Sequence, residues 1–182
     1  MTKNINETFD NIEYLKFGTE RQKQAYSVLT EYKILLKLKP FSPIFAGTIP
    51  IDIDIETSDL DIICHWTDRN EFISSLKKVF GNHPNFKIKE NHSNNSVIAN
   101  FILRDFEVEV FGQNIPAKEQ FAYRHMIIEN GLLKKKGSSF RKQIRELKKQ
   151  GYKTEPAFAF ALGLVGNPYI ELLNLENELT VI

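Results

Sequence analysis

The chain has 182 residues, 24 Lys and Arg against 23 Asp and Glu, one Cys, and a hydrophobic share of 42 %. That length and apolar content suit one packed core and exclude bulk disorder, while a net charge of +1 excludes a protein defined by an overall basic field. A single Cys excludes an intrachain disulfide framework and a multi-Cys zinc site. No apolar run approaches the roughly 18 residues of a membrane span. The opening segment, Met1 to Glu7, lacks the apolar stretch of a signal peptide. The expectation is a soluble, cytoplasmic protein with no membrane partner.

In chain order, a short helix is expected around Phe9 to Phe17, separated by Gly18 from a longer one. Ala25, Val28, Leu29, Tyr32 and Leu35 recur at helical spacing, so the second helix is expected to run to Leu38. Pro40 and Pro43 stop it. Pro43 to Thr48 is a short apolar run ending in a turn. Ser58 to Trp66 alternates and then turns apolar, as a buried strand does. Asp68 to Glu71 resembles a capping box, opening a helix with Phe72, Ile73, Leu76, Val79 and Phe80 and closed by Gly81. Three strand candidates follow, Phe86 to Glu90, Val97 to Leu103 and Phe106 to Phe111. Arg104-Asp105 joins the last two into a hairpin. The stretch from Asn91 to Ser96 is polar.

From Ile115 the helical period returns. Pro116 is expected to open a helix that Asn130-Gly131 closes. Ser138 or Ser139 caps another, with Phe140, Ile144 and Leu147 on its buried stripe. Thr154 and Asn167 each precede a proline in a first turn. The expected fold class is α/β in the α+β sense: a small mixed sheet flanked by helices, with a C-terminal helical subdomain. Residues 1–114 would form the core and 115–182 the helical subdomain.

The residues with the strongest chemical signal are Ala46-Gly47-Thr48, then ten residues on, Asp59-Leu60-Asp61-Ile62. Two apart on a strand, Asp59 and Asp61 point to one face. Carboxylates so close repel unless a cation or proton intervenes, and Mg²⁺ prefers such oxygens. Gly47 lets backbone amides approach a phosphate, and Thr48 adds a hydroxyl. A third carboxylate should come from Phe106 to Phe111, which offers Glu107 and Glu109 on one face. Glu109 is preferred, although the pattern alone divides the two almost evenly. Asp52-Ile53-Asp54 lies too close to Thr48 to form a separate strand and is expected to be a solvated loop or strand edge. Cys64 is expected to be buried, and Arg124 to pair structurally.

These motifs resemble the nucleotidyltransferase superfamily of the DNA polymerase β type. That superfamily carries a small-residue turn, a short spacer, an acid-apolar-acid-apolar run and a later apolar-acid-apolar strand. The runs GTIPIDIDIETSDLDIIC, FEVEVFGQ, AYRHM and TEPAFAFALGL resemble a bacterial domain-of-unknown-function family within it. The resemblance implies that Asp59, Asp61 and Glu109 are catalytic and hold two Mg²⁺ ions. It also implies that Gly47, Thr48 and Ser58 bind a nucleoside triphosphate. The implied activity is transfer of a nucleoside monophosphate to a hydroxyl of an unidentified acceptor. Thr48 replaces the usual Gly or Ser, and Glu109 stands where Asp is commoner. Two alternatives stand beside this reading. One is a non-catalytic member of the fold that binds nucleotide or a partner. The other is a nucleic-acid-binding module built on Lys134 to Lys149, which holds eight Lys and Arg against Glu146. No aromatic-basic interleaving supports the second. Arg141, Lys142, Arg145, Lys148 and Lys149 are expected on the flanks and outer side of their helix, with at most Arg141 or Arg145 reaching a nucleotide.

Overall fold

The computed structural model describes residues 9–179, so the opening segment read as lacking a leader lies outside the described residues. A five-stranded mixed sheet organises the chain. Its strands are β1 (Ile44–Ala46), β2 (Leu60–His65), β3 (Lys87–Asn91), β4 (Ser96–Leu103) and β5 (Phe106–Gln113). Their spatial order is β1-β2-β5-β4-β3. Only the β2–β5 pair is parallel; the other three are antiparallel. Helices α1 (Glu20–Glu31), α2 (Ile34–Lys37) and α3 (Arg69–Phe80) pack on one face. Helices α4 (Phe121–Lys149), α5 (Thr154–Leu162) and α6 (Pro168–Asn174) pack on the other, with α7 (Glu176–Leu179) at the end. The expected α+β class is the one observed.

Alternation divides the apolar side chains between two cores. Leu60, Ile62, Val108 and Val110 face α1 and α3, meeting Val28, Leu29, Phe72 and Phe80. Ala46 and Ile63 face the other way, toward Met126, Ile128, Ile144 and Phe158. Period two therefore turns Asp61 and Glu109 toward the side that α4 covers. The long segment between β1 and β2 is not a solvated loop. Ile49, Ile51 and Ile53 are all buried, at 0, 3 and 0 % exposure.

The structure corrects the expected helices in several places. The one expected to open at Pro116 begins at Phe121, after a 3-10 turn over Ala117–Glu119. No single helix reaches Leu38: Lys33 adopts a left-handed φ of 55° and starts α2 on a new axis. The break brings Ile34 and Leu38 into the core, at 0 and 1 % exposure. The helix expected at Phe9 to Phe17 shrinks to a 3-10 turn over Glu13–Phe17. Asn130-Gly131 closes nothing, because α4 runs straight through. Burial of Ile128, Leu132 and Leu133 outweighs the roughly 1 kcal/mol that glycine costs a helix interior. The interruption falls instead at Gly137, whose φ of 81° and ψ of −166° only glycine adopts without strain. Asp68 caps α3 as expected, accepting from the amides of Asn70 and Glu71 at 2.8 and 3.0 Å. Asn167 caps α6, but Thr154 lies inside the first turn of α5 and caps nothing.

Candidate active site

Parallel pairing sets Asp61 beside Glu109, since the register aligns Leu60 with Val108 and Asp61 with Glu109. On the other flank Asp61 aligns with Ala46, so the turn after β1 meets it directly. Gly47 sits at φ +83°, and a Cβ placed there would come within 2.2 Å of Asp61 Oδ2. Only glycine permits both the turn and the close approach. Asn100 on β4 donates weakly from Nδ2 to Glu109 Oε2 at 3.4 Å.

Asp61 and Glu109 form one wall of a cavity of about 650 Å³ between the sheet and the helical layer. Gly47, Thr48, Phe111 and Gln113 continue that wall, and Gln120, Phe121, His125, Met126, Glu129 and Glu155 face it. Asp59 precedes β2 at the edge of this group and is partly exposed. Glu107 is exposed and pairs in register with Ile102 rather than with Asp61.

Electrostatics bind the acids into one group. Burial, then the charges of Glu109 and Asp59, pushes the Asp61 carboxyl up to about 7, with Lys148 pulling the other way. Burial, followed by Glu107 and Glu109, raises Asp59. Among the described residues no three His, Cys, Asp or Glu side chains are already drawn together around an ion position. The donor set is still a hard one, and Mg²⁺ commonly takes one or two carboxylates and completes its shell with substrate phosphates.

Thr48 and Ser58 are engaged with each other. Thr48 Oγ1 donates to Ser58 Oγ at 3.2 Å, and Ser58 Oγ also accepts from the Ile55 amide at 3.0 Å. Ser58 thus braces the segment leading into Asp59. From α1, Arg21 donates to the carbonyls of Glu56 and Ser58, each at 3.2 Å, and its guanidinium lies 3.9 Å over the Phe106 ring.

The basic helix acts on this same segment. Arg141 donates to the Ile51 and Asp52 carbonyls, and Arg145 to the Asp52 carbonyl at 2.7 Å and to its carboxylate. Asp52 holds a left-handed φ of 59° under that grip. Lys148 contradicts the outward placement expected for it. It is 7 % exposed and donates to the Ile53 carbonyl at 2.9 Å. None of the eight cations of this run lines the cavity. Arg145→Ala is expected to lower stability by about 1–2 kcal/mol, the size of a charge-assisted hydrogen bond shared by half-buried groups. Lys142→Ala, at an exposed position, should change stability by no more than about 0.5 kcal/mol. Urea unfolding of both variants checks the pair.

Cys64 is buried, which pushes its thiol up and leaves it inert. Arg124 forms an ion pair with Glu176 through two nitrogens. The sequence alone assigned no site role to Gln120, His125, Glu129 or Glu155, although His125 and Glu155 lie in the runs AYRHM and TEPAFAFALGL. The signal for two of them was the spacing Phe121, His125, Glu129, a stripe four residues apart along one helix face. Nothing local marked Gln120.

Comparison with solved structures places this fold. A crystal structure of the Cid1 poly(U) polymerase, bound to Mg and 3'-dATP, superposes with a TM-score of 0.54 at 12 % identity. The match covers 75 % of this chain and 46 % of the polymerase, so the chain spans less than half of that protein. The architecture is therefore nucleotidyltransferase-like. Residues 27–175 match the model of the family described as Domain of unknown function (DUF4269), and the chain belongs to that family. No curated protein matches it. No helix among the described residues is long and apolar enough to cross a membrane.

Proposed function

We propose that the protein is a metal-dependent nucleotidyltransferase that moves a nucleoside monophosphate group from a nucleoside triphosphate to a hydroxyl acceptor. The observation that carries this reading is the pairing of Asp61 with Glu109 against the Gly47 turn, at the wall of a cavity, in a nucleotidyltransferase-like fold. Asp59, Asp61 and Glu109 would hold Mg²⁺, whose charge neutralises the phosphates and favours ionisation of the acceptor hydroxyl. The carboxylates fit that ion: burial, and then repulsion from Glu109 and Asp59, raises Asp61, and a dication offsets both.

The remaining roles fall to the chain itself. Gly47 leaves room for the triphosphate to approach the strand end. Thr48 and Ser58 shape the phosphate-facing turn, with Ser58 holding Thr48 in place. The acceptor oxygen bonds to the α-phosphorus as the bond from that phosphorus to the bridging oxygen breaks. Pyrophosphate leaves, and the hydroxyl proton passes to Glu109 or to solvent. Residues 1–114 would carry this chemistry and residues 115–182 would close over it.

The test is melting of the protein with nucleoside triphosphates, with and without Mg²⁺, alongside an assay for released pyrophosphate. Stabilisation that requires Mg²⁺, together with pyrophosphate release, is expected. Stabilisation without release would leave a non-catalytic nucleotide binder, and neither effect would overturn the reading. Glu109→Gln should lower turnover about a hundredfold, whereas Glu107→Gln should change it no more than a few-fold. Equal losses would overturn the preference for Glu109, and a larger loss in Glu107→Gln would make Glu107 the third acid.

A further inference from the structure

We infer that the helical wall of the cavity is the acceptor subsite, and that the acceptor is a small hydroxyl compound carrying a protonated amine. This rests on the nucleotidyl-transfer reading and names its second substrate by chemical class. Two buried acceptor atoms carry it. Glu129 is 4 % exposed and lines the cavity, yet its Oε1 has no hydrogen-bond partner among the described residues. Gln120 is 2 % exposed and lines the cavity too. Its Nε2 donates to the carbonyls of Cys64 and Ile115, each at 2.8 Å, which fixes the amide and leaves Oε1 without a partner.

Buried acceptors without donors are costly, so a ligand that fits this wall brings donors. A protonated amine brings three and no acceptor. The charge of the lining points the same way. Five carboxylates line the cavity, from Asp61, Glu109, Glu119, Glu129 and Glu155, and no Lys or Arg does. Asp61 and Glu109 belong to the phosphate end. Glu129 and Glu155 lie on the opposite wall, where burial, then the neighbouring charge of Glu155, raises the Glu129 carboxyl well above the usual carboxylate range; an ammonium bound beside it would favour its ionised form, whereas a triphosphate would be repelled. Lys148 interacts electrostatically with Glu129, Asp61 and Glu155 from outside the lining, but its hydrogen bond goes to the Ile53 carbonyl at 2.9 Å and, among the described residues, none reaches Glu129 Oε1. His125 is committed as well, with Nε2 donating to the Tyr169 carbonyl at 2.8 Å and Nδ1 at 3.5 Å from Glu155. The rings of Phe111 and Phe121, also in the lining, give an ammonium apolar and aromatic surface.

The probe is 1,3-diaminopropan-2-ol, compared with glycerol, which keeps the carbon skeleton and hydroxyl but has no charge. Two-dimensional NMR titration of the intact protein at neutral pH reads both, with the Gln120 side-chain amide as the local reporter. The diamine is expected to bind about tenfold or more tightly than glycerol and to shift that amide. Glu129→Gln and Glu155→Gln should each remove most of the preference. Two variants are used because Glu129 is deeply buried, and the melting curve of each confirms that it is folded. A diamine that binds no better than glycerol, or a preference that survives both substitutions, overturns the inference. Mg²⁺-dependent binding of nucleoside triphosphate is measured on the same samples. If nucleotide binds and the diamine preference is absent, the acceptor class is wrong and nucleotidyl transfer stands. If the preference is present without nucleotide binding, the amine site stands and the transfer reading fails.

Discussion

Asp61→Asn is expected to give a protein that is more stable than the parent near neutral pH and unable to transfer nucleotide. Asp61 is displaced from its ordinary 3.8 to about 7, first by burial and then by Glu109 and Asp59. An acid raised on folding stabilises the native state fully below about pH 4. That contribution is lost as the pH climbs to about 7, because the unfolded chain ionises freely and the folded one does not. Asn carries no proton to lose, so the melting curves of variant and parent should converge near pH 4 and separate as the pH rises. By about pH 8 the difference should reach ~2–4 kcal/mol, the upper end being the full cost of ionising Asp61 in place. For a chain of this length that is about 5–10 °C in Tm. Mg²⁺ should narrow the gap by stabilising only the parent. Turnover should fall about a thousandfold or more, because the variant lacks a carboxylate proposed to hold the ion. A variant less stable than the parent at pH 8, or one still bound by nucleotide in a Mg²⁺-dependent way, would sink this account.

Gly47→Ala tests the same site without touching an acid. The added methyl would meet Asp61 Oδ2 at 2.2 Å, with Cγ and Cβ of Asp61 next at 3.1 and 3.2 Å. A short side chain has little freedom to yield, so the carboxylate must swing away from Glu109. The left-handed φ of +83° adds a backbone cost, and together a stability loss of about 1–3 kcal/mol is expected. The functional loss should be larger in proportion. A displacement near 1 Å in a positioned group costs about a hundredfold in rate. Calorimetric unfolding and pyrophosphate release on one preparation separate the two effects. Parental turnover in the Ala variant would show that the turn and Asp61 do not work together.

Much of the sheet was legible because period two is a local signal. Ser58 to Trp66 and Phe106 to Phe111 could be placed on strands, and Arg104-Asp105 on a hairpin turn, from the sequence alone. The nearly even choice between Glu107 and Glu109 shows where that signal stops. Alternation fixes the face of a strand but not its register, and here the register of β2 against β5 decides which glutamate stands beside Asp61. The segment around Asp52 misled for a related reason. Its acids look solvated in isolation, but Ile51 and Ile53 beside them are buried and its backbone is gripped by Arg141, Arg145 and Lys148, far away in the chain. Gly131 misled in the opposite sense, since its intrinsic preference to end a helix was overridden by the packing of its neighbours.

The parallel pairing of β2 with β5 also bears on when the site comes into being. The β4–β5 hairpin closes over two residues and can form early, as can its neighbour β3. β2 can pair with β5 only once α3 and both intervening strands have been looped back, and so long a closure is expected to come late. The repulsion between Asp61 and Glu109 is then absent from most of the folding reaction and enters with the final docking. Relieving it should act on the escape rate from the native state rather than on the approach to it. In stopped-flow chevrons, Asp61→Asn should leave the refolding limb nearly in place and slow the unfolding limb. The acids proposed as catalytic would thus set how long each folded molecule lasts, and a bound nucleotide would lengthen that lifetime.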